Sequence, residues 1–411
     1  MAGEWLNGPV GRGAEHRVLR HGCRTVLVVV PFLVAGTRLM DLLPLLESDH
    51  RVMVVFSVAP APNRAICHGA EEFLRAHSCL VLPWEQAVHH EFDLVLAASP
   101  HGLTEVHGKP LLVPHGAGAV RPLLRSRSAG AGAAPTHALD REALMSRGRV
   151  VPHVVALSHH AELDVLRETC PEAAPSAAVV GDICFDRLLA SIPFRARYRE
   201  AFGLTRGEKL VVVSSTWQPE STLGSRPDLV DLLLDALPRN GYRVAAVVHP
   251  TVWSVHGHWQ VRAWFADCLR AGLILLPPDE GWRAALVAAD LVIGDYGSVT
   301  RYGAAIGVPV MTTTLPEDRL RPGGAMALLH RHAPRLLACR PLRAQVDAAR
   351  SVCRAWQDEV SGHLTSHPGR AGEHLRRAMY ELLRLDEPAR AVPCSPVPLP
   401  RPVHGESSWW T

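Results

Sequence analysis

Short apolar runs alternate along this chain with segments whose apolar residues fall at helical spacing. Val26–Val30 is a continuous β-branched run, the pattern of a parallel strand covered on both faces. Helical spacing follows over Arg38–Leu46, then a second strand over Arg51–Val58. Glu71–His77 reads as helix and Cys79–Pro83 as a short strand. Phe92–Ala98, Pro110–Pro114 and Val150–Ser158 read as further strands, and Ala161–Glu168 as helix. The same alternation restarts downstream. Strands are expected at Lys209–Val213, Arg243–Val248, Leu273–Leu276, Leu291–Ile293 and Val308–Met311, with helices at Asp228–Leu237, Trp282–Ala288 and Val299–Ala305. Two consecutive series of this kind predict two βα units with mostly parallel sheets.

The expected organisation is a Rossmann-like domain over residues 1–180 and a second over 181–345, with the boundary near Ala178–Ser191. C-terminal helices over 346–386 would return across the cleft between the domains. A proline-rich tail over 387–411 is expected to be disordered. Ser126–Pro135, built of small residues, reads as a mobile loop inside the first domain.

Composition narrows the class. Of the 411 residues 47% are hydrophobic and 20% charged, a globular balance, and a net charge of +3 gives no general attraction to nucleic acid. Nine cysteines without a C-x-x-C pair fit buried thiols better than a zinc knuckle or a disulfide framework. Histidine is abundant, and His89-His90, His159-His160 and His256-x-His258 resemble fragments of metal sites. Neighbouring histidines on a strand face opposite ways and no carboxylate completes a set, so no metal is expected. Trp253, Trp259 and Trp264 are expected to pack under a loop rather than to stack on a ligand. The apolar run Thr25–Gly36 is broken by Pro31 and leads into helical spacing, which favours a buried strand over a signal peptide. A cytoplasmic protein is expected, with at most peripheral contact at the inner face of a membrane.

In open parallel sheets ligands bind beyond the carboxyl ends of the strands. Three segments of the second half take that position: Ser214-Ser215-Thr216, His249-Pro250 and Asp295-Tyr296-Gly297-Ser298-Val299. A strand, then a small-residue turn, then a helix brings backbone N–H groups and the positive end of the helix dipole to one place, which suits a diphosphate. A well-capped turn without a ligand would read the same way.

The ordered series of His249-Pro250, Asp295–Ser298 and Gly307-Val308-Pro309-Val310 resembles the C-terminal half of the CDP-glycerol glycerophosphotransferase family of teichoic acid synthesis. More distantly it is similar to the non-hydrolysing UDP-N-acetylglucosamine 2-epimerases. Gly181–Leu188, Ser214–Trp217 and His115-Gly116-Ala117 resemble further elements of the first family, so the likeness runs from about His115 to Val310. It implies a GT-B fold, two Rossmann-like doubly wound domains facing across a cleft. It also implies His115 as general base toward an acceptor hydroxyl, Gly116 and Arg121 at the acceptor, and the three second-half segments at a nucleotide-activated donor. The donor would be CDP-glycerol or a nucleoside diphosphate sugar, bound as substrate with no cofactor, and the acceptor a hydroxyl, free or lipid-linked. Ala117, Gly297 and Arg301 depart from the family pattern. Three functions therefore stay open: a transferase in cell-envelope polymer synthesis, a UDP-sugar epimerase, and a catalytically inactive nucleotide-binding protein.

Overall fold

A computed structural model describes residues 5–10, 14–16, 18–60, 69–119, 138–313, 317, 320–351 and 356–401. The chain divides into two compact units. Of the described residues, the first takes 5–119, 138–186 and 365–394, and the second 187–364 and 395–401.

The first unit is built on a seven-stranded parallel sheet: β1 (Arg24–Val29), β2 (Val52–Ser57), β3 (Val81–Leu82), β4 (Leu94–Ala97), β5 (Pro110–Leu112), β6 (Val154–Leu157) and β7 (Ala177–Val179), in the order β3-β2-β1-β4-β5-β6-β7. The order reverses after β1, as in doubly wound folds. Both faces are covered, which explains why the strands carry no polar alternation. Val26, Val28 and Val30 join one core with Leu94 and Leu96, while Leu27 and Val29 join the opposite core with Val95 and Ala97. Helices α1 (Leu33–Met40), α2 (Ala70–Ala76) and α13 (Ala371–Leu383) fill the first core, and α3 (His160–Thr169) packs into the second.

The second unit repeats the plan with five parallel strands. These are β8 (Lys209–Ser215), β9 (Tyr242–Val248), β10 (Ile274–Leu275), β11 (Leu291–Gly294) and β12 (Val310–Thr312), in the order β10-β9-β8-β11-β12. Its helices include α5 (Leu229–Ala236), α6 (Pro250–His256), α7 (His258–Trp264), α8 (Trp282–Ala288) and α9 (Ser298–Ala305), followed by α10 (Ala325–His332), α11 (Leu342–Arg350) and α12 (Gln357–Leu364).

The division into units falls after Asp186, within the stretch Ala178–Ser191, which holds regular structure, β7 and α4 (Ile183–Ser191). Two expectations change. The block of C-terminal helices is split: α11 and α12 belong to the second unit, and only α13 belongs to the first. The proline-rich tail is ordered as far as Arg401. Its extended backbone offers carbonyls to arginine and tyrosine donors: Arg376 bonds the Arg390 carbonyl, Arg187 those of Ser395 and Pro396, and Tyr198 that of Val397. Proline lacks a donor but keeps its carbonyl, so the strip satisfies its polar groups through side chains.

The return of the chain to the first unit is pinned by Asp186, whose carboxylate accepts from Gly369 N (2.6 Å) and Ala371 N (2.8 Å). Burial pushes this carboxyl up to about 6. Gly181 has φ +94°, and a Cβ there would press on the His367 carbonyl, so the glycine serves this junction. Cys170, Cys184 and Cys268 are buried thiols, as expected, whereas Cys339 and Cys394 are exposed. Among the described residues, no helix is long and apolar enough to cross a membrane.

Candidate functional site

In the second unit the three segments chosen from sequence meet at the carboxyl ends of β8, β9 and β11. The link between the first two is a backbone bond, His249 N to Ser215 O (3.1 Å), continuing the β8–β9 ladder. Asp295 makes the other links. It is fully buried, and its Oδ2 accepts from Thr216 N (2.9 Å), Thr216 Oγ1 (3.0 Å) and Thr222 N (2.9 Å), while Oδ1 accepts from Gly297 N (3.0 Å). Burial pushes the carboxyl up, against these donors that pull it down. Asp295 was expected to contact a donor. Its oxygens are instead taken up by its own chain, and its role is to hold the loop after β8 to the turn after β11. Ser215 is likewise internal: its Oγ donates to the Thr216 carbonyl and accepts from Leu223 N. Ser214 is also buried.

The surface of this junction is left to Thr216, His249, Pro250, Tyr296, Gly297, Ser298 and Val299, all half-buried. Gly297 is the N-cap of α9, and its own N–H is committed to Asp295. Anion binding would therefore fall to the following amides, beginning with Ser298. A Cβ at Gly297 would lie 2.9 Å from the Thr216 methyl, which accounts for the glycine at this position. Arg301 is buried one turn along α9, and its Nη2 donates to Ser298 Oγ (3.3 Å), bringing positive charge under the turn. The His249 ring caps α6: its Nδ1 accepts from Thr251 N (3.1 Å). A neutral ring that accepts at Nδ1 carries its proton on Nε2, so His249 is set to donate.

In the first unit His115 follows β5 and is exposed. Its Nδ1 lies 3.0 Å from the Ala98 carbonyl, which can only accept. The proton of the neutral ring is then on Nδ1 and the lone pair on Nε2, the form a general base needs. Phe32 meets the imidazole edge-on, with ring centroids 5.6 Å apart.

Two buried charged groups, both missed in sequence, hold the turn that carries His115. Arg38 of α1 donates to the Gly116 carbonyl (2.9 Å) and pairs with Asp182 (3.0 Å), which also caps α4 by accepting from Cys184 N and Phe185 N. Glu162 of α3 accepts from Ala119 N (2.6 Å) and Ser158 N (2.7 Å). Gly116 was expected at the acceptor, but its carbonyl serves this scaffold, and Ala117 is buried. Arg121 and the loop at Ser126–Pro135 lie outside the described residues. A buried arginine on the first helix and a glutamate in the first turn of α3 give no pattern in sequence, since the Arg38 partners and the Ala119 partner of Glu162 lie far along the chain.

Among the described residues, no group of three histidine, cysteine or acidic side chains has the geometry to hold a metal ion. Trp253 is buried, with its Nε1 on the Val248 carbonyl, as expected of a packing residue. Trp259 and Trp264 are 73% and 53% exposed, so the packing expectation fails for them.

No family model and no curated protein matches this sequence. Among solved structures, the wall teichoic acid polymerase TagF is similar at 10% identity and TM-score 0.55, over 88% of this chain and 89% of that one. A TagF variant soaked with CDPG gives 10% identity and TM-score 0.58 over the same shares. Anabaena HepE, solved with UDP-glucose, gives 15% identity and TM-score 0.48 over 88% of this chain and 100% of that one. The TagF likeness extends over both units and establishes the fold: two Rossmann-like domains of the GT-B class.

Proposed function

We propose that this protein is a transferase that moves a phospho-alditol or glycosyl group from a nucleotide-activated donor to a hydroxyl acceptor, in the synthesis of a cell-envelope polymer. The observation that carries the reading is the junction of the β8, β9 and β11 loops. There Asp295 ties the N-terminal turn of α9, which carries Ser298, to the loop after β8, and the bond from His249 N to Ser215 O brings His249 to the same end of the sheet. Such an arrangement offers fixed donors to a diphosphate.

With a CDP-glycerol-like donor, His115 Nε2 takes the acceptor's hydroxyl proton as its oxygen bonds to the β-phosphorus. The bond from that phosphorus to the bridging oxygen breaks, and the electron pair leaves on CMP. Fixed donors at the α9 turn stabilise the charge that develops there. The fold shared with TagF supports the class of donor, and the sequence likeness supports the choice of CDP-glycerol.

An epimerase draws less support. It needs acidic residues for proton transfer, and of the candidates Asp182, Asp186, Glu220 and Asp295 all but the half-buried Glu220 are buried and committed to hydrogen bonds that hold the chain. Thermal-shift measurements with CDP-glycerol, CDP-ribitol, UDP-sugars and GDP-sugars test the reading. Stabilisation by one class is expected. Replacing Ser298 by Ala should then weaken that ligand by about 1–3 kcal/mol, the usual loss for one hydrogen bond to a charged group. No response to any of them would remove the transferase in favour of an inactive relative.

A further inference from the structure

Ala98 and Ser99, consecutive residues at the end of β4, each hold one imidazole. The Ala98 carbonyl takes His115 Nδ1 at 3.0 Å, and Ser99 Oγ lies 2.7 Å from His101 Nδ1. Both rings stand edge-on to Phe32, with centroids 5.6 Å away for His115 and 6.3 Å for His101. Each histidine is thus fixed through Nδ1 and packed on the same phenyl ring. Phe32, Ser99, His101 and His115 follow the carboxyl ends of β1, β4 and β5, three adjacent strands of one sheet.

We propose that His101 is a second binding imidazole of the acceptor subsite, paired with His115 across Phe32, and that the two receive a polyol through neighbouring hydroxyl groups. The inference rests on the transferase reading for the word acceptor, but the polyol site stands on the first unit alone. A Ser–His pair could also be a nucleophilic dyad. Ser99 is buried at 3% exposure while His101 is exposed, so the serine is out of reach and serves to orient the ring. Desolvation lowers the basicity of His101, which keeps the ring neutral near neutral pH. Imidazoles in that state offer hydrogen bonds and a lone pair rather than charge. They suit hydroxyls better than a phosphate dianion. In this division of work His115 accepts the proton of one hydroxyl, and His101 binds the adjacent one and so sets which oxygen attacks. His101 is absent from the motifs that pointed to His115, and only the fold brings the two together.

The test uses the full chain with 15N-labelled histidine rings, titrated with ribitol and, separately, with inorganic phosphate. Ribitol should move the ring resonances of both His101 and His115, assigned by their loss in His101→Gln and His115→Gln. His101→Gln should raise the apparent ribitol Kd about tenfold, and Ser99→Ala about threefold, the scale of one lost or loosened hydrogen bond. Both variants should keep the wild-type thermal transition within a few degrees, because His101 is exposed and Ser99→Ala removes only one oxygen. Ribitol shifting His115 alone, an unchanged Kd in His101→Gln, or a response of His101 to phosphate but not ribitol would each overturn the proposal. Binding of CDP-glycerol is measured in the same samples. A polyol response without any nucleotide response would sink the transferase reading and leave this site standing. A nucleotide response without a polyol response would do the reverse.

Discussion

Each unit places a histidine just past the carboxyl end of a parallel strand, and the two are given opposite hydrogen-bond geometry at Nδ1. In the first unit His115 Nδ1 faces a carbonyl and must donate; in the second, His249 Nδ1 faces a backbone N–H and must accept. The same side chain therefore presents a lone pair at Nε2 in one unit and a proton at Nε2 in the other. One local hydrogen bond decides between a base and a donor. The difference arises from where each residue sits: His249 caps a helix and so meets an orphan amide, whereas His115 leaves β5 beside the end of β4.

The sharpest way to break this comparison is to replace each histidine in turn. His115→Ala should lower kcat by about 10²–10⁴-fold, the usual contribution of a positioned general base, with the donor Kd unchanged. His249→Ala should raise the donor Kd by about 10–100-fold through loss of a hydrogen bond to a charged ligand. Glutamine sharpens the contrast, since its amide N–H₂ can imitate an Nε2 donor but not an Nε2 base. His249→Gln should recover part of the donor affinity, and His115→Gln should recover no turnover. Kinetics that show the same pattern for both histidines would remove the division of roles.

The anchors differ as well. In the second unit one carboxylate, Asp295, gathers loops after two strands; in the first, Glu162 and Arg38 share the task. Concentration in one residue makes the second junction the more brittle. Asp295→Ala should cost about 3–5 kcal/mol by leaving three backbone N–H groups without an acceptor, and Glu162→Ala about 2–3 kcal/mol by leaving two. Urea unfolding followed by circular dichroism reads both. A smaller loss for Asp295 than for Glu162 would mean that the two loops are held by something else.

Most strands were legible because parallel strands covered on both faces are apolar throughout, as in Val26–Val30 and Lys209–Val213. β7 was missed: three residues of Ala-Ala-Val resemble a linker, and a strand that short is defined by its neighbour β6. The positions of His115, His249 and the α9 turn were legible through motif order. What each atom does there was not. Asp295 looked like a ligand-binding residue because sequence gives its place in a turn but not its burial. Arg38 and Glu162 stayed hidden because Gly116, Asp182 and Ala119 lie far along the chain from them, and His101 because only the fold sets it against Phe32. The ordering of residues 387–401 was hidden for the same reason, since it depends on Arg187, Tyr198 and Arg376.

Gly297 sets the smallest and most specific test. Its φ of −68° is open to any residue, so no backbone requirement explains the glycine. What excludes a side chain is contact: a Cβ would sit 2.9 Å from Thr216 Cγ2 and 3.2 Å from Asp295 Oδ1. Gly297→Ala should therefore cost about 1–3 kcal/mol as local overpacking. Thr216→Ser removes the obstructing methyl and keeps the hydroxyl that donates to Asp295. In the Thr216→Ser background the cost of Gly297→Ala should fall by about 1 kcal/mol or more, a coupling of the size seen between touching residues. If the two substitutions simply add, the Thr216 methyl is not what requires glycine. If they couple, Gly297→Ser together with Thr216→Ser becomes tolerable. The doubly substituted protein would then carry one more hydroxyl at the N-terminus of α9 and should hold a nucleotide-activated donor at least as tightly as the native chain.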